Sequence, residues 1–329
     1  MLDRILTVRV DRIHQLTPEV AAFELVHPGG RLLPAYEAGA HVDVHLPGGF
    51  MRTYSLARAP QPAGPGHSAK PGVARYFIGV KREPDSRGGS AALHERVREG
   101  DLLAIGSPRN TFPLHKGARH HLLLAGGIGL TPLLAMAEQL AAEGASYTLC
   151  VFARSRALLP FAQELAALGT SVRLHLDDPA APEKLDLHAL LGAPAPDAGT
   201  HLYLCGPAGF MQAALEAAHH WDEDCIHLEY FAPPTPAAGH SEDRPFVLKL
   251  TRRGIEVPVP AEASAVDALH DLGIDVPTSC AQGVCGTCVV RWTGGEPEHR
   301  DHCLSATERQ HKLALCCSRA KSAVLEVEL

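Results

Sequence analysis

Polar and apolar residues alternate with a period of two through the first part of the chain. In AHVDVHL, Ala40, Val42, Val44 and Leu46 stand against polar neighbours, and ARYFIGVKR and DLLAIG are further strand-like runs between Gly/Pro turns. Short strands of this kind predict a β-barrel or sandwich. The segment PQPAGPGHSAKPG, Pro60 to Gly72, interrupts the pattern and is expected to be a mobile loop.

From His120 the rhythm becomes strand and helix in alternation: HLLLAGG, TPLLAMAEQLAAEG, YTLCVFAR, LLPFAQELAALG, VRLHLDD, LDLHALLG, HLYLCGP, GFMQAALEAAHH and IHLEYF. Strands joined by such crossovers predict a doubly wound α/β sheet. APPTPAAGHSEDRP, Ala232 to Pro245, has no periodicity and reads as a linker. Beyond it, the strand-like runs FVLKLTR and IEVPVP precede a short amphipathic helix, SAVDALHDLG, with Ser264 as N-cap and Gly273 past its end. The expected division is 1–114, 115–231, a linker over 232–245, and 246–329.

A chain of 329 residues can bury more than one core, and a 46% hydrophobic, 20% charged composition is that of an ordinary globular protein. A net charge of −7 argues against a general nucleic-acid binder. Asp3, Arg4, Arg9, Asp11 and Arg12 leave no apolar core for a signal peptide, so a cytoplasmic protein is expected. The longest uncharged apolar run, Leu122 to Ala137, is broken by Gly126, Gly127, Gly129 and Pro132 and is too short to cross a bilayer; no membrane partner is expected. Nine cysteines, an odd number, without an export signal favour metal ligation over a disulfide framework.

Three of them crowd into PTSCAQGVCGTCVV. The spacing Cys280-x4-Cys285-x2-Cys288 is the plant-type 2Fe-2S pattern, which needs a fourth thiolate further along; Cys316 and Cys317 are both there, and spacing alone leaves the choice open. Gly283 and Gly286 let the backbone wrap closely and aim N–H groups at sulfur. The alternatives are a zinc site, for which the adjacent Cys316 and Cys317 would have to reach one tetrahedral ion, and unligated buried thiols. Cys150, Cys205, Cys225 and Cys303 read as packed or surface thiols.

Two strand-to-helix turns point at nucleotides. HLLLAGGIGLTPLLAM runs from a strand through glycines into a helix, with Thr131 expected as N-cap and Pro132 at the first helical position; HLYLCGPAGFM repeats the construction. Such turns aim N–H groups at a pyrophosphate, although neither is a G-x-G-x-x-G fingerprint and a plain tight turn is the alternative. In MRTYSLA, Arg52 could meet a phosphate, Tyr54 an aromatic ring and Ser55 a ring nitrogen, unless this is an ordinary strand with alternating faces. SRGGSAALHE adds a Gly-Gly-Ser turn opening a helix, a second possible phosphate cradle.

Taken together, RTYSL, VKREPDSRGGS, AGGIGLTPLL, YLCGPAGFM, CAQGVCGTC and LCCSRAKSAVLEVEL resemble the phthalate dioxygenase reductase family, whose vanillate demethylase reductase members share this order of parts. The resemblance covers nearly the whole chain. It implies a multi-domain protein: an antiparallel β-barrel flavin domain, a doubly wound α/β nucleotide domain and an α+β ferredoxin-like (β-grasp) domain. It implies FMN held by Arg52, Thr53, Tyr54 and Ser55, by Gly79, Val80 and Lys81, and by Gly88, Gly89 and Ser90, with Thr131 and Phe231 facing the flavin. NAD would lie along Gly126, Gly127 and Pro132 and beside Cys205, Gly206, Pro207 and Met211. The family's CxSRAKS ending selects Cys316 as the fourth cluster ligand, and Pro60 to Gly72 looks like an insertion.

These cofactors make chemical sense as a set, because a nicotinamide gives two electrons as hydride, a 2Fe-2S cluster takes one at a time, and a flavin converts between them. Ser55 is expected to hydrogen-bond near flavin N5 and Cys205 to lie beside the nicotinamide. The acceptor implied by the resemblance is the terminal (Rieske-type) oxygenase of aromatic hydroxylation or O-demethylation. Competing readings are a stand-alone NAD(P)H reductase for quinone or ferric chelates, and a zinc-holding binding module without catalysis. Asp177 and Asp178 at a strand end favour NADH, whereas Arg154 and Arg156 argue for a 2′-phosphate. The 20 histidines show no ligand spacing and are expected mostly in solvent. The acidic end, Glu326 and Glu328, reads as a solvated tail or a docking element for a basic partner.

Overall fold

The computed structural model describes residues 5–61, 72–84, 88–192, 199–232 and 243–329; most of the Pro60–Gly72 loop and of the Ala232–Pro245 linker lies outside them. The chain forms two compact units, one running to Leu228 and the other beginning at Glu229. Among the described residues no helix is long and apolar enough to cross a membrane.

The first unit opens with strands β1 (Leu6–Gln15), β2 (Val20–Val26), β3 (Ala40–Leu46), β4 (Phe50–Ser55) and β5 (Arg75–Lys81), helix α1 (Gly89–Arg96), and strands β6 (Leu102–Ile105) and β7 (Arg109–Asn110). They make one antiparallel sheet in the order β4-β3-β6-β1-β2-β5, with β7 paired to β3. A bridge between Leu56 and Ile78 carries the chain after β4 back to β5 and nearly closes the barrel around Val8, Phe23, Leu25, Val42 and Val44. The alternation seen in AHVDVHL is real, but its polar partners are not in water. His41 and Asp43 are buried, and β7, paired to the start of β3, sends Arg109 Nη2 to Asp43 Oδ2 (2.5 Å).

The same unit continues through β8 (His120–Gly126), α2 (Leu130–Glu143), β9 (Tyr147–Ala153), α3 (Ala162–Ala167), β10 (Val172–Leu176), α4 (Leu187–Leu191), β11 (Thr200–Cys205), α5 (Ala208–Ala217) and β12 (Ile226–Glu229). The sheet order is β10-β9-β8-β11-β12, with β8 parallel to both β9 and β11, so the chain steps outward to β10 and then returns to the other side of β8. The topological switch therefore falls between β8 and β11, and a crevice is expected outside the carboxyl ends of these strands. Leu133, Leu134, Met136 and Leu140 hold α2 on the sheet.

One expectation about this junction is corrected. Thr131 is not the N-cap and Pro132 is not the first helical residue: a 3₁₀ turn over Gly127–Gly129 leads straight into α2, whose N-cap is Gly129. Thr131 is already inside the first turn, and its hydroxyl donates backwards to the Ile128 carbonyl (3.0 Å). A glycine-built turn can bend earlier than a side-chain cap would require, which moves the helix start forward.

One group of histidines departs from the general expectation. At the amino ends of β8, β11 and β12, His121, His201 and His227 converge with His115 and Tyr203. His115 stacks on His201 (4.1 Å between centroids), and His201 Nδ1 meets His227 Nε2 at 2.8 Å. Burial, and then the neighbouring His201, His115 and His121, push the His227 pKa down to about 4. Alternating strands placed these imidazoles side by side, which spacing within any one segment does not reveal.

The second unit contains β13 (Phe246–Leu250), β14 (Ile255–Val259), α6 (Ala265–Asp271), β15 (Val289–Gly294), β16 (Lys312–Ala314) and β17 (Val324–Val327), in the sheet order β14-β13-β17-β15-β16. The α6 helix starts as its sequence predicts, with Ser264 accepting from Asp267 N–H in a capping box, and lays Ala265, Ala268 and Leu269 on the core. The acidic end is not a free tail. Glu326 lies in strand β17 and accepts from Lys249 Nζ (2.7 Å), and Glu328, just beyond the strand, accepts from Arg252 Nη2 (2.9 Å).

Candidate cofactor and electron-transfer sites

The two glycine turns meet at the switch point. Gly126 and Gly206 end adjacent strands, and a Cβ on Gly206 would stand 3.0 Å from Gly126 Cα. A Cβ on Gly129 would stand 2.3 Å from the Cys205 carbonyl oxygen, so only glycine lets the two turns close on each other. Gly127 adopts φ +54°, the left-handed conformation glycine takes without strain. Pro207 is the N-cap of α5, and Met211 donates its N–H to the Pro207 carbonyl (2.9 Å). Pro132, Cys205 and Met211 are buried, so they shape the walls more than they offer side-chain atoms. The Phe210 ring lies across Gly126 and Gly206 and packs on Phe152 (5.0 Å), which stacks on His175. No sequence signal distinguished this aromatic run from ordinary core.

A second cradle lies in the barrel. Strand β4 pairs with β3 so that Arg52 is opposite Val44, Thr53 opposite Asp43, Tyr54 opposite Val42 and Ser55 opposite His41. Arg52 and Tyr54 thus share one face and Thr53 and Ser55 the other. The Arg52 side chain crosses Gly89 so closely that a Cβ there would be 2.6 Å from its Cγ, which brings the guanidinium to the start of α1. The helix N-cap, Gly88, has φ +93°. Ser90 Oγ accepts from Glu83 N–H (3.2 Å), tying this turn to the end of β5. Thr53 donates to Asp43 (2.8 Å), Ser55 is buried, and burial drives the Tyr54 phenol pKa up. On β5, Gly79 lies beneath Thr131 and Phe161, the Val80 carbonyl meets His94 Nε2, and Lys81 pairs with Glu83. Phe231 belongs to the second unit, where it is exposed.

The cysteine loop gathers four thiols. Gln282 N–H donates to Cys280 Sγ (3.3 Å), Cys280 N–H to Cys285 Sγ (3.5 Å) and Gly283 N–H to Cys316 Sγ (3.2 Å). Cys285 Sγ also meets Thr287 Oγ1 (3.1 Å). Hydrogen bonds between the thiols, from Cys285 to Cys280 and from Cys316 to Cys288, pull the pKa values of Cys280 and Cys288 down and push those of Cys285 and Cys316 up. Cys316 reaches both Cys280 and Cys288, whereas Cys317 turns its Sγ towards the Ala314 carbonyl and lies over Gly283. Gly283 (φ +73°) and Gly286 (φ +72°) make the wrap possible. Behind the loop, Asp301 is fully buried and accepts from Leu304 N–H (3.1 Å), and His302 N–H donates to the Gly283 carbonyl (2.9 Å). Four thiol sulfurs ringed by backbone donors fit an iron–sulfur cluster.

A glycine crevice at a switch point, a basic cradle on a barrel and a ring of thiols define an electron-transfer reductase of modular build. The comparisons bear this out. Residues 248–321 match the family model of the 2Fe-2S iron-sulfur cluster binding domain. A vanillate O-demethylase oxidoreductase of Pseudomonas sp. (strain HR199 / DSM 7063) is 42% identical over 98% of this chain and 99% of its own. The reductase subunit of a tert-butanol monooxygenase / tert-amyl alcohol desaturase of Aquincola tertiaricarbonis is 42% identical over 97% of this chain and 95% of its own. Among solved structures, phthalate dioxygenase reductase, described as a modular structure for electron transfer from pyridine nucleotides to [2Fe-2S], is 35% identical with a TM-score of 0.69, covering 99% of this chain and 98% of that one. The chain belongs to the phthalate dioxygenase reductase family.

Proposed function

We propose that this chain is the NADH-oxidising reductase component of an oxygenase system, passing electrons through FMN and a 2Fe-2S cluster to a terminal oxygenase. The observation that carries the reading is the thiol quartet of Cys280, Cys285, Cys288 and Cys316, ringed by backbone N–H donors, in a chain that also builds a nucleotide crevice. In this reading residues 1–114 hold FMN, 115–231 NADH and 246–329 the cluster, with 232–245 as linker. When bound, the nicotinamide supplies hydride, the flavin takes it up and releases electrons singly, and the cluster relays them one at a time.

The protein's own contribution is placement. Arg52 and the start of α1 hold the FMN phosphate, with Gly88, Gly89 and Ser90 shaping the turn, and Thr53, Gly79, Val80 and Lys81 completing the cradle. Tyr54 would lie against the flavin ring, the buried Ser55 hydroxyl would hydrogen-bond near N5, and Thr131 would face the ring. Gly126, Gly127, Gly206 and Pro207 allow the pyrophosphate close approach, Pro132 and Met211 line the crevice, and Cys205 borders the nicotinamide. Asp177 and Asp178 stand exposed just beyond β10, while Arg156 is paired with Glu183, which supports NADH over NADPH. The names of the relatives support an oxygenase as acceptor, for aromatic hydroxylation or O-demethylation.

The test is anaerobic titration of the purified protein with NADH, and with NADPH as comparison, followed by visible absorption and low-temperature EPR. Flavin bleaching together with a rhombic reduced-cluster signal is the expected result, at lower nucleotide concentration for NADH. Bleaching without that signal refutes the assignment of the cysteine loop, and no bleaching refutes the reductase reading.

A further inference from the structure

Within the first unit one side chain ties both sheets together. Arg58 lies just beyond β4, with its guanidinium over the Phe77 ring (5.6 Å) and its carbonyl accepting from Tyr36 Oη (2.8 Å). Its Nε donates to Glu138 on α2 (2.7 Å), and its Nη1 to Glu164 on α3 (3.2 Å). The second Glu138 oxygen accepts from Ala59 N–H (2.8 Å). The three side chains retain only 25%, 16% and 23% of their exposure, so this is not the water-screened surface pair that contributes little. A planar guanidinium presents a rigid fork of donors to two carboxylates at once, whereas an ammonium is a point charge on a flexible stem.

The same two helices make a second contact with the barrel. Thr131 of α2 and Phe161, the N-cap of α3, close on Gly79 of β5, where a Cβ would stand 2.7 Å from Thr131 Cγ2 and 3.0 Å from the Phe161 ring. Phe161 holds φ +56°, which a bulky residue keeps only where its surroundings impose it. It begins the helix that carries Glu164, so this turn also sets where Glu164 points. Glu138 lies about two turns along α2 from Thr131, on the same face.

These contacts fix strands β4 and β5, which the proposed function gives to the flavin, against α2, whose start forms the nucleotide crevice. We infer that Arg58 is a positioning residue for hydride transfer: gripping Glu138 and Glu164, it sets the separation of nicotinamide and flavin without touching either ring. The inference rests on the proposed function, and hydride transfer is sensitive to displacements of about 1 Å.

The test uses the full chain with FMN bound. Arg58→Lys keeps the charge but loses the fork, and Glu164→Gln releases one arm without leaving a cation alone. Both variants are expected to bind FMN and to bind NADH within about twofold of wild type. The first-order rate of flavin bleaching at saturating NADH should fall about tenfold or more, and amide exchange in α2 and α3 should rise. Faster exchange with an unchanged bleaching rate would make Arg58 a structural tie only and overturn the inference. Failure of the wild type itself to bind FMN would instead overturn the proposed function, and the inference with it.

Discussion

The histidine cluster makes a prediction that needs no cofactor. An unfolded chain protonates His227 near its ordinary value of 6.5, whereas the folded protein holds it to about 4, chiefly by burial. Between those values the unfolded state binds more protons, so stability falls as pH drops through 6.5 and the loss is complete near 4. At 1.36 kcal/mol per unit, a shift of this size corresponds to at most about 3.4 kcal/mol. Solvent reaching the half-buried ring reduces that to about 2 kcal/mol. His227→Gln keeps an amide near His201 Nδ1 but cannot titrate. The assay is urea denaturation of wild type and variant at intervals from pH 7.5 to pH 4.5, taking the difference so that carboxylates common to both cancel. The wild type should lose about 1–2 kcal/mol more than the variant across this range, with none of the excess above pH 7. Equal slopes would show that the cluster accepts protons as readily as free imidazole, and the reasoning from burial would be refuted.

Two glycines give sharper, local perturbations. Gly129→Ala places a Cβ 2.3 Å from the Cys205 carbonyl, so the turn must open; an overpacking cost of about 1–3 kcal/mol is expected, with NADH affinity about tenfold weaker by titration and FMN content unchanged. Gly283→Ala combines φ +73° with a Cβ 2.5 Å from Cys317 Sγ, so iron and acid-labile sulfide per chain should fall below half of wild type, about a twofold loss or more, while flavin bleaching by NADH persists.

What the sequence disclosed follows from the range of the interactions involved. The cysteine spacing was legible because three of the four ligands of a plant-type cluster lie within a single tight loop, and the parallel sheet was legible because each strand buried on both faces reads as a continuous apolar run. The choice between Cys316 and Cys317 depended on which sulfur the backbone turns towards Cys280 and Cys288, and spacing does not carry that. The same holds for His115, His201 and His227, which are remote in sequence and meet only because strand order brings β11 and β12 together. Asp43 looked like a solvent-facing residue of an alternating strand, and the Thr53 hydroxyl together with the return of Arg109 along β7 explains how a carboxylate is buried there.

Arg58 shows the same limit at the scale of the whole first unit. Nothing around it in SLARAP marks a functional residue, since its meaning lies in Glu138 and Glu164, about eighty and one hundred positions away. A reductase that moves hydride between two separately built sites needs their spacing fixed more tightly than either site needs its own ligands, because each half can bind its cofactor while misaligned with the other. Motifs therefore identify the halves, and the residues that join them carry no motif. Glycine at position 79 is the nearest to an exception: it lies in the strand assigned to the flavin, yet what forbids a side chain there is the approach of Thr131 and Phe161 from the nucleotide side.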